Sequence, residues 1–368
     1  MPIKQLHKWT GIALLSTMLM ACNSNDNANT SANGTSFDPV VWKMVTAWPK
    51  NFPGVGTGAE KLAQNITTMS GGRIKVTVYG AGELVPPLEV FDAVSRGTAE
   101  LGHGAAYYWK GKVPAAQFFT SVPFGLTAQE MNAWIYHGGG LELWEEVYAP
   151  FNVIPMAAGN NGVQMAGWFN KEIKSIEDFS GLKMRIPGLG GEVLKKVGGV
   201  PVNLPGGEIF TALQTGTIDA TEFAGPYNDL AFGFYKVAKY YYYPGWHEPG
   251  SVSELIVNKT AFESLPADLQ SIVRAATRQT NGDMLEEYTS LNNDALEILV
   301  RDYDVELRAL PSDVMQVLQQ TAEEILLEVA QEDVMSQKVY DSFVQFRSKV
   351  SAWHSISEHA YIKARDGR

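Results

Sequence analysis

An arginine and a glutamate, each at the end of a short β-rich run, are the groups in this chain best suited to holding a small anion. Arg185 closes the strand-like KMRIPG, whose Pro-Gly turn aims it toward the sheet edge at which α/β proteins bind ligands. A guanidinium there can meet both oxygens of a carboxylate at once; the alternative is an ordinary surface ion pair. Glu222 ends TIDATEF and stands beside Arg185 if the two strands are neighbours, either to balance the arginine or to ligate a cation. Asp219, just before that strand, is expected to cap the turn instead. Gln164, in GNNGVQMAGWF, offers a neutral carbonyl oxygen on a strand expected to run between lobes. Hard cations such as Na⁺ and Ca²⁺ take such oxygens together with backbone carbonyls and waters. The spacing alone does not show a metal.

Other motifs that invite chemistry fail on inspection. PGLGGEVLKKVGG suggests a phosphate loop, but Val193 stands where GxGxxG needs its third glycine, and no GK[ST] follows. His103, His137, His247, His354 and His359 show no HExxH or other metal-ligand spacing, and no GxSxG elbow is present. No catalytic residue is assigned. KYYYYPGWHEPG is different in kind: Tyr240 to Tyr243 read as a strand whose alternate side chains fill a core on one side and a cleft wall on the other, or, for any one of them, as a residue that only packs. The flanking Pro-Gly pairs then present Trp246, His247 and Glu248.

These groups need a frame, and the chain supplies one. VVWKMVTAW and RIKVTVYG read as strands, with a helical pattern between them that ends at Gly71 and Gly72; a second helix, PLEVFDAVSRG, precedes ELGHGAA. The alternation recurs in GLKMRIPG, GEVLKKVGG, VPVNL, GGEIFTALQTG and TIDATEF, so two α/β lobes with largely parallel pairing are expected. From Pro266 to about Asp302 there is no internal proline and a single Gly282, which predicts one helix long enough to join the lobes, or a break at Asn281-Gly282.

The N-terminus has a basic start (Lys4, His7, Lys8), an apolar run from Trp9 to Met20 and then Leu19-Met20-Ala21-Cys22. The apolar run is too short to span a bilayer, which takes roughly 20 residues, but suits a secretory signal. The small residue before Cys22, the chain's one cysteine, makes the segment similar to the lipobox of bacterial lipoproteins. Residues 1–21 are therefore expected to be a signal peptide, and 22–36 a disordered tether carrying a lipid on Cys22, since NSNDNANTSANGTS has no large apolar residue to bury. A net charge of −11 without a Lys/Arg-rich run argues against a nucleic-acid partner.

The runs GNNGVQMAGWFNKEI, GLKMRIPGLGGEVLKKVGGVPVNLPGGEI, ALQTGTIDATEFAGPYNDLAFGFYKVAKYYYYPGWHEPG and ISEHAYIKAR resemble the solute-binding proteins of TRAP (tripartite ATP-independent periplasmic) transporters, above all the branch that binds 2-oxo and 2-hydroxy monocarboxylates. The resemblance covers nearly everything after residue 40. It implies a two-lobe α/β binding-protein fold of mixed sheets flanked by helices: lobe I at 37–160 plus about 251–280, lobe II at 161–250 plus about 281–310, a long helix spanning both, and C-terminal helices at 311–368. It also implies an extracytoplasmic protein that hands a small carboxylate such as pyruvate or lactate to membrane permease subunits. In that family the arginine of RxPG, here Arg185, grips the carboxylate. The glutamine of GVQM, here Gln164, and the glutamate of DAxEW, here Glu222, belong to a site in which Na⁺ or Ca²⁺ bridges protein and ligand. The next residue gives a backbone carbonyl and a ring; here it is Phe223 where the branch usually has tryptophan, which makes the wall smaller and removes an N–H. Glu248, Tyr107, Tyr108 and Asn160 are further cleft residues by resemblance. A dicarboxylate, a longer oxo acid, or a periplasmic enzyme using Glu248 or His247 as base are the alternatives.

Residues 313–364 are helical in pattern. Val314, Val317, Leu318, Ala322, Ile325, Leu326 and Val329 form one apolar stripe and Tyr340, Phe343, Val344, Phe346 and Val350 another. They serve either a homodimer, as in some relatives, or packing back on the chain's own lobes.

Overall fold

The computed structural model describes residues 38–367. The signal segment, Cys22 and the polar stretch after it lie outside the described residues.

The fold is α/β, with two mixed sheets flanked by helices. The first sheet contains β1 (Val40–Thr46), β2 (Ile74–Tyr79), β3 (Leu101–Gly104) and β4 (Val153–Asn160). The second contains β5 (Gly167–Phe169), β6 (Lys183–Arg185), β7 (Val200–Val202), β8 (Ala220–Thr221) and β9 (Tyr240–Tyr243). The chain then returns to the first sheet as β10 (Val252–Asn258) and ends in the second as β11 (Glu306–Ala309). Strand order is β2-β1-β3-β10-β4 in one and β11-β9-β5-β8-β6-β7 in the other. The helical crossovers anticipated from the sequence make β1 parallel to β2 and β3, and β6 parallel to β7 and β8. β10 enters from the other sheet and runs antiparallel to β3 and β4, so the pairing is more mixed than the βα alternation alone suggests.

Three segments pass between the sheets: residues 161–166, residues 244–251 and the helix Ala267–Tyr303. That helix is unbroken through Gly282, 37 residues or about 55 Å at 1.5 Å per residue. It buries Leu269, Val273, Ala276, Met284, Tyr288 and Leu299 along its length and ends at Asp304 in a left-handed conformation.

The C-terminal helices Ser312–Ala330 and Val334–Ile356 turn most of both apolar stripes back onto the chain. Phe343 meets Trp134 edge to face at 5.2 Å, and Trp134 and Trp144 each stack nearly parallel to Phe119, at 5.4 and 5.0 Å. The last helix, Glu358–Asp366, buries no residue, and Trp353, Ile356 and Tyr361 remain exposed.

β10 carries an ionisable group into this core. Glu254 is fully buried; its Oε1 accepts from Trp109 Nε1 at 2.6 Å and its Oε2 from the Tyr148 hydroxyl at 3.0 Å. Burial pushes the carboxyl up to about 8, and the two donors only partly oppose this. The folded chain thus holds a proton that the unfolded chain, with an ordinary value of 4.5, releases. The stability this group contributes is complete below about pH 4.5 and is lost as pH rises to about 8. Glu254→Gln keeps an acceptor without a charge, so it is expected to raise the melting temperature by several degrees at pH 8 and by little at pH 5, read by thermal melts. An equal shift at both pH values would contradict this origin.

Candidate functional site

The site begins with strand register. β6 is short because Pro187 has no N–H with which to continue the ladder, and it pairs parallel to β8 with Arg185 opposite Thr221. Arg185 and Glu222 therefore leave the carboxyl ends of neighbouring parallel strands side by side. Arg185 Nη1 donates to Glu222 Oε1 at 2.5 Å and to its backbone carbonyl at 3.0 Å, Nε donates to the Leu204 carbonyl at 3.1 Å, and Nη2 to the Tyr108 hydroxyl at 3.2 Å. Both charged side chains are 0% exposed. Burial, the largest influence, would lower the arginine's pKa, but Glu222 together with Tyr108, Tyr107 and Glu248 outweighs it and holds the guanidinium charged. Asp219 does not close its own turn but reaches the neighbouring strand, its carboxylate accepting the Lys183 N–H at the start of β6 at 2.9 Å.

The two irregular connections bring further groups to this pair. Gln164 lies in segment 161–166 and is not on a strand, contrary to expectation: its N–H bonds the Glu248 carbonyl at 3.1 Å, which ties one connection to the other in place of a ladder. Gln164 Nε2 donates to Glu248 Oε2 at 2.8 Å, and the Ser251 hydroxyl donates to the same oxygen. Gln164 Oε1 is buried without a partner. His247 Nε2 lies 3.2 Å from Glu222 Oε2; a carboxylate can only accept, so this nitrogen carries the proton. His247 Nδ1 is buried with no partner among the described residues. Burial first, and then the neighbouring Glu222, push the Glu248 carboxyl up to about 7. Glu222, His247 and Glu248 each bring one donor atom to within 4.8 Å of the others. Two carboxylates and an unsatisfied amide oxygen form a donor set that fits a hard cation.

Aromatic rings close the other side. Tyr107 and Tyr108 come from the first sheet's half of the chain and meet edge to face at 4.8 Å; burial raises the pKa of both phenols. Phe223 is buried, with the Arg185 guanidinium 5.5 Å from its ring centroid. Asn160 is buried; its Oδ1 accepts the Gly162 N–H at 2.9 Å, and its Nδ2 has no partner among the described residues. Its neighbour Asn161 lines the cavity beside Phe223. The glycines of PGLGG also have a use other than phosphate binding. Gly188 has φ +61° and a Cβ there would lie 3.1 Å from Tyr107, while a Cβ on Gly190 would lie 2.9 Å from that of His247. They let the helix Gly188–Lys196 approach the site rings closely.

The tyrosine strand requires a correction. Tyr241 stacks on Trp168 at 4.1 Å and donates to buried Asp229 at 2.6 Å, and Tyr242 accepts the Ile173 N–H at 2.8 Å while packing on Phe169. Tyr241 and Tyr242, on opposite faces of β9, are thus both buried in packing, while Tyr240 is half-buried and Tyr243 exposed, so the buried pair packs and forms no cleft wall. Sequence reasoning overlooked Trp48, Asn161 and Ser251. Only Ser251, three residues after Glu248, had a positional signal.

An α/β frame thus sets a fully buried arginine–glutamate pair at the carboxyl ends of neighbouring parallel strands. The chain belongs to the bacterial extracellular solute-binding protein family 7, the DctP family of TRAP transporter solute-binding proteins, whose model matches residues 44–333. It is 46% identical over 350 residues, 95% of each chain, to a monocarboxylate 2-oxoacid-binding periplasmic protein of Nostoc sp.. A TRAP periplasmic solute-binding protein from Pseudoalteromonas atlantica, crystallised with bound sodium and pyruvate, is 42% identical with a TM-score of 0.86, covering 89% of this chain and 99% of that one. One from Bordetella bronchiseptica, a mixed-occupancy dimer with calcium and picolinate in its occupied site, is 37% identical with a TM-score of 0.88, covering 90% and 98%. Members of the family are solute-binding proteins.

Proposed function

We propose that this protein is the extracytoplasmic component of a TRAP transporter that captures a small 2-oxo or 2-hydroxy monocarboxylate, with pyruvate as the type, and delivers it to the membrane permease. The observation that carries the reading is the fully buried Arg185–Glu222 pair beside the unpartnered Gln164 oxygen. Arg185 holds the ligand's carboxylate, and the two sheets are the cores of two lobes that close on it. Glu222, Gln164 and the Phe223 carbonyl would hold Na⁺ or Ca²⁺, which supplies the positive charge that turns repulsion between Glu222 and the ligand into a bridge. Tyr107, Tyr108, Phe223 and Glu248 shape the remaining wall, and Asn160 supports the turn behind it. A monocarboxylate suits this site better than a dicarboxylate, because a second carboxylate would face Glu222 and Glu248 with no second arginine to meet it.

The reading is of a binding protein and not an enzyme. Calorimetry with pyruvate should give one ligand per chain, and the ligand should be recovered unchanged after prolonged incubation. Turnover would favour the alternative in which His247 or Glu248 acts as a base, and absence of binding would reject the ligand class.

Two further parts of the reading concern placement. Cys22 carries a lipid that anchors the mature protein on the periplasmic side; intact mass of the membrane fraction should show an adduct on a chain beginning at Cys22, and a soluble chain beginning elsewhere would contradict it. The exposed Trp353, Ile356 and Tyr361 on the last two helices pair two copies into a homodimer. Light scattering at micromolar concentration should give twice the chain mass, and a monomer mass would reject pairing.

A further inference from the structure

We propose that Trp48, held in place by His103, sets the length of the 2-oxo acid side chain that the site admits. This rests on the binding role proposed above and extends it to residues with no role assigned so far.

Trp48 stands two residues beyond β1, at the carboxyl edge of the first sheet, and is buried. Its ring meets Phe223 edge to face at 6.3 Å and Tyr108 at 6.0 Å. Both of those residues also touch Arg185, through the 5.5 Å cation–ring contact and the 3.2 Å hydroxyl bond. A continuous surface therefore runs from the carboxylate grip across Phe223 and Tyr108 to Trp48. The same three rings line a narrow cavity together with Val55 and Ala105, to which Thr120, Asn161, Ser251 and Ser253 bring polar groups. The space left between them is of the order of a single water molecule. A ligand tail leaving the carboxylate in this direction passes Phe223 and Tyr108 and ends against the indole.

The indole cannot turn aside freely. Its Nε1 donates to His103 Nδ1 at 2.8 Å, and His103 Nε2 donates to the Ala158 carbonyl at 3.3 Å. The backbone is held as well, since the Trp48 carbonyl accepts from the Thr46 hydroxyl and the Ala81 N–H, both at 2.8 Å. Burial lowers the His103 pKa to about 4, so the ring remains neutral and Nδ1 remains an acceptor at physiological pH. β3 pairs with β1 so that His103 lies opposite Thr46, and strand register delivers the imidazole to the indole. His103 is thus a positioning residue and Trp48 the residue that contacts the tail.

The test compares pyruvate with 4-methyl-2-oxovalerate, by calorimetry, on the parent protein, Trp48→Leu, His103→Leu and His103→Asn. One added methylene in a tight pocket changes affinity by roughly 10- to 200-fold, and 4-methyl-2-oxovalerate extends pyruvate by an isopropyl group. The parent should prefer pyruvate by at least ~30-fold, and Trp48→Leu should bring the ratio to about threefold, chiefly by improving the longer acid. His103→Leu should reduce the ratio in the same direction, while His103→Asn, which keeps an acceptor near the place of Nδ1, should restore most of it. A purely structural role for His103 would weaken both acids equally and leave the ratio unmoved in every variant, and that result overturns the proposal. If Trp48→Leu does not fold, Trp48→Phe and the two His103 variants decide the same question. A parent that binds no 2-oxo acid overturns the binding reading and this one together; a parent that binds pyruvate, with variants that discriminate as it does, overturns this one alone.

Discussion

Arg185→Met is expected to raise the dissociation constant for pyruvate by roughly 30-fold to several thousand-fold, because truncating one partner of a buried charge pair costs ~2–5 kcal/mol. From the sequence Arg185 lines a cleft, and its loss should leave the fold intact. The structure gives a different expectation for stability, since Arg185 and Glu222 are both 0% exposed and bonded to each other. Removing the arginine leaves Glu222 buried with only His247 at 3.2 Å, at a cost of about 3–5 kcal/mol. The two losses can be separated. Adding Glu222→Gln to Arg185→Met should recover much of the melting temperature and none of the binding. Arg185→Lys should keep the charge but lose the fork that now reaches Leu204, Glu222 and Tyr108, and bind weakly. A folded double variant that binds pyruvate within threefold of the parent would show that the carboxylate is held elsewhere.

Removing sodium and chelating calcium should weaken pyruvate binding at least tenfold, with recovery when either ion is added back. Two unit charges 4 Å apart interact by about 4 kcal/mol at the effective dielectric of a protein surface. An incoming carboxylate meets Glu222 and Glu248 together, and among the described residues the fixed positive charge in direct contact with Glu222 is Arg185, which is already engaged. Gln164→Leu removes the unpartnered amide oxygen and should raise the cation concentration needed for half-maximal recovery, with little change in the maximum. Equal affinity with and without cation, measured in the same buffer of large organic ions, would remove Na⁺ and Ca²⁺ from the site.

The parts of this site that the sequence made legible are those set by local rules. RxPG ends a strand because proline cannot extend it, TIDATEF ends the adjacent one, and parallel register then brings Arg185 and Glu222 together. The helix over Ala267–Tyr303 was legible for the same reason, as an uninterrupted stretch without proline. What stayed hidden depends on contacts far apart in the chain. Gln164 sits in an alternating run that looks like a strand, but the bond from its N–H to the Glu248 carbonyl, made across the second connection, holds it as irregular backbone. Asn160 and Asn161 are adjacent and chemically identical, and only the turn at Gly162 decides which of them faces the cavity. Trp48 and His103 are 55 residues apart, with no pattern to announce that one holds the other. The four tyrosines misled because alternation predicts two faces without telling which neighbour covers each.

The passage of the chain between its two sheets bears on how this protein tolerates change. Surface connections ordinarily accept insertions and deletions, because few contacts depend on their length. Segments 161–166 and 244–251 are connections by position, yet Gln164 on one and Glu248 on the other are bonded through both backbone and side chain. One residue added to or removed from either would slide the amide past the carboxylate and dismantle the centre, while leaving every strand of both sheets able to form. These two segments should therefore behave as fixed-length spans, and loop grafting or domain insertion aimed at them should abolish ligand capture in protein that still folds. The last helix, Glu358–Asp366, with no buried residue, is where added sequence should be accepted.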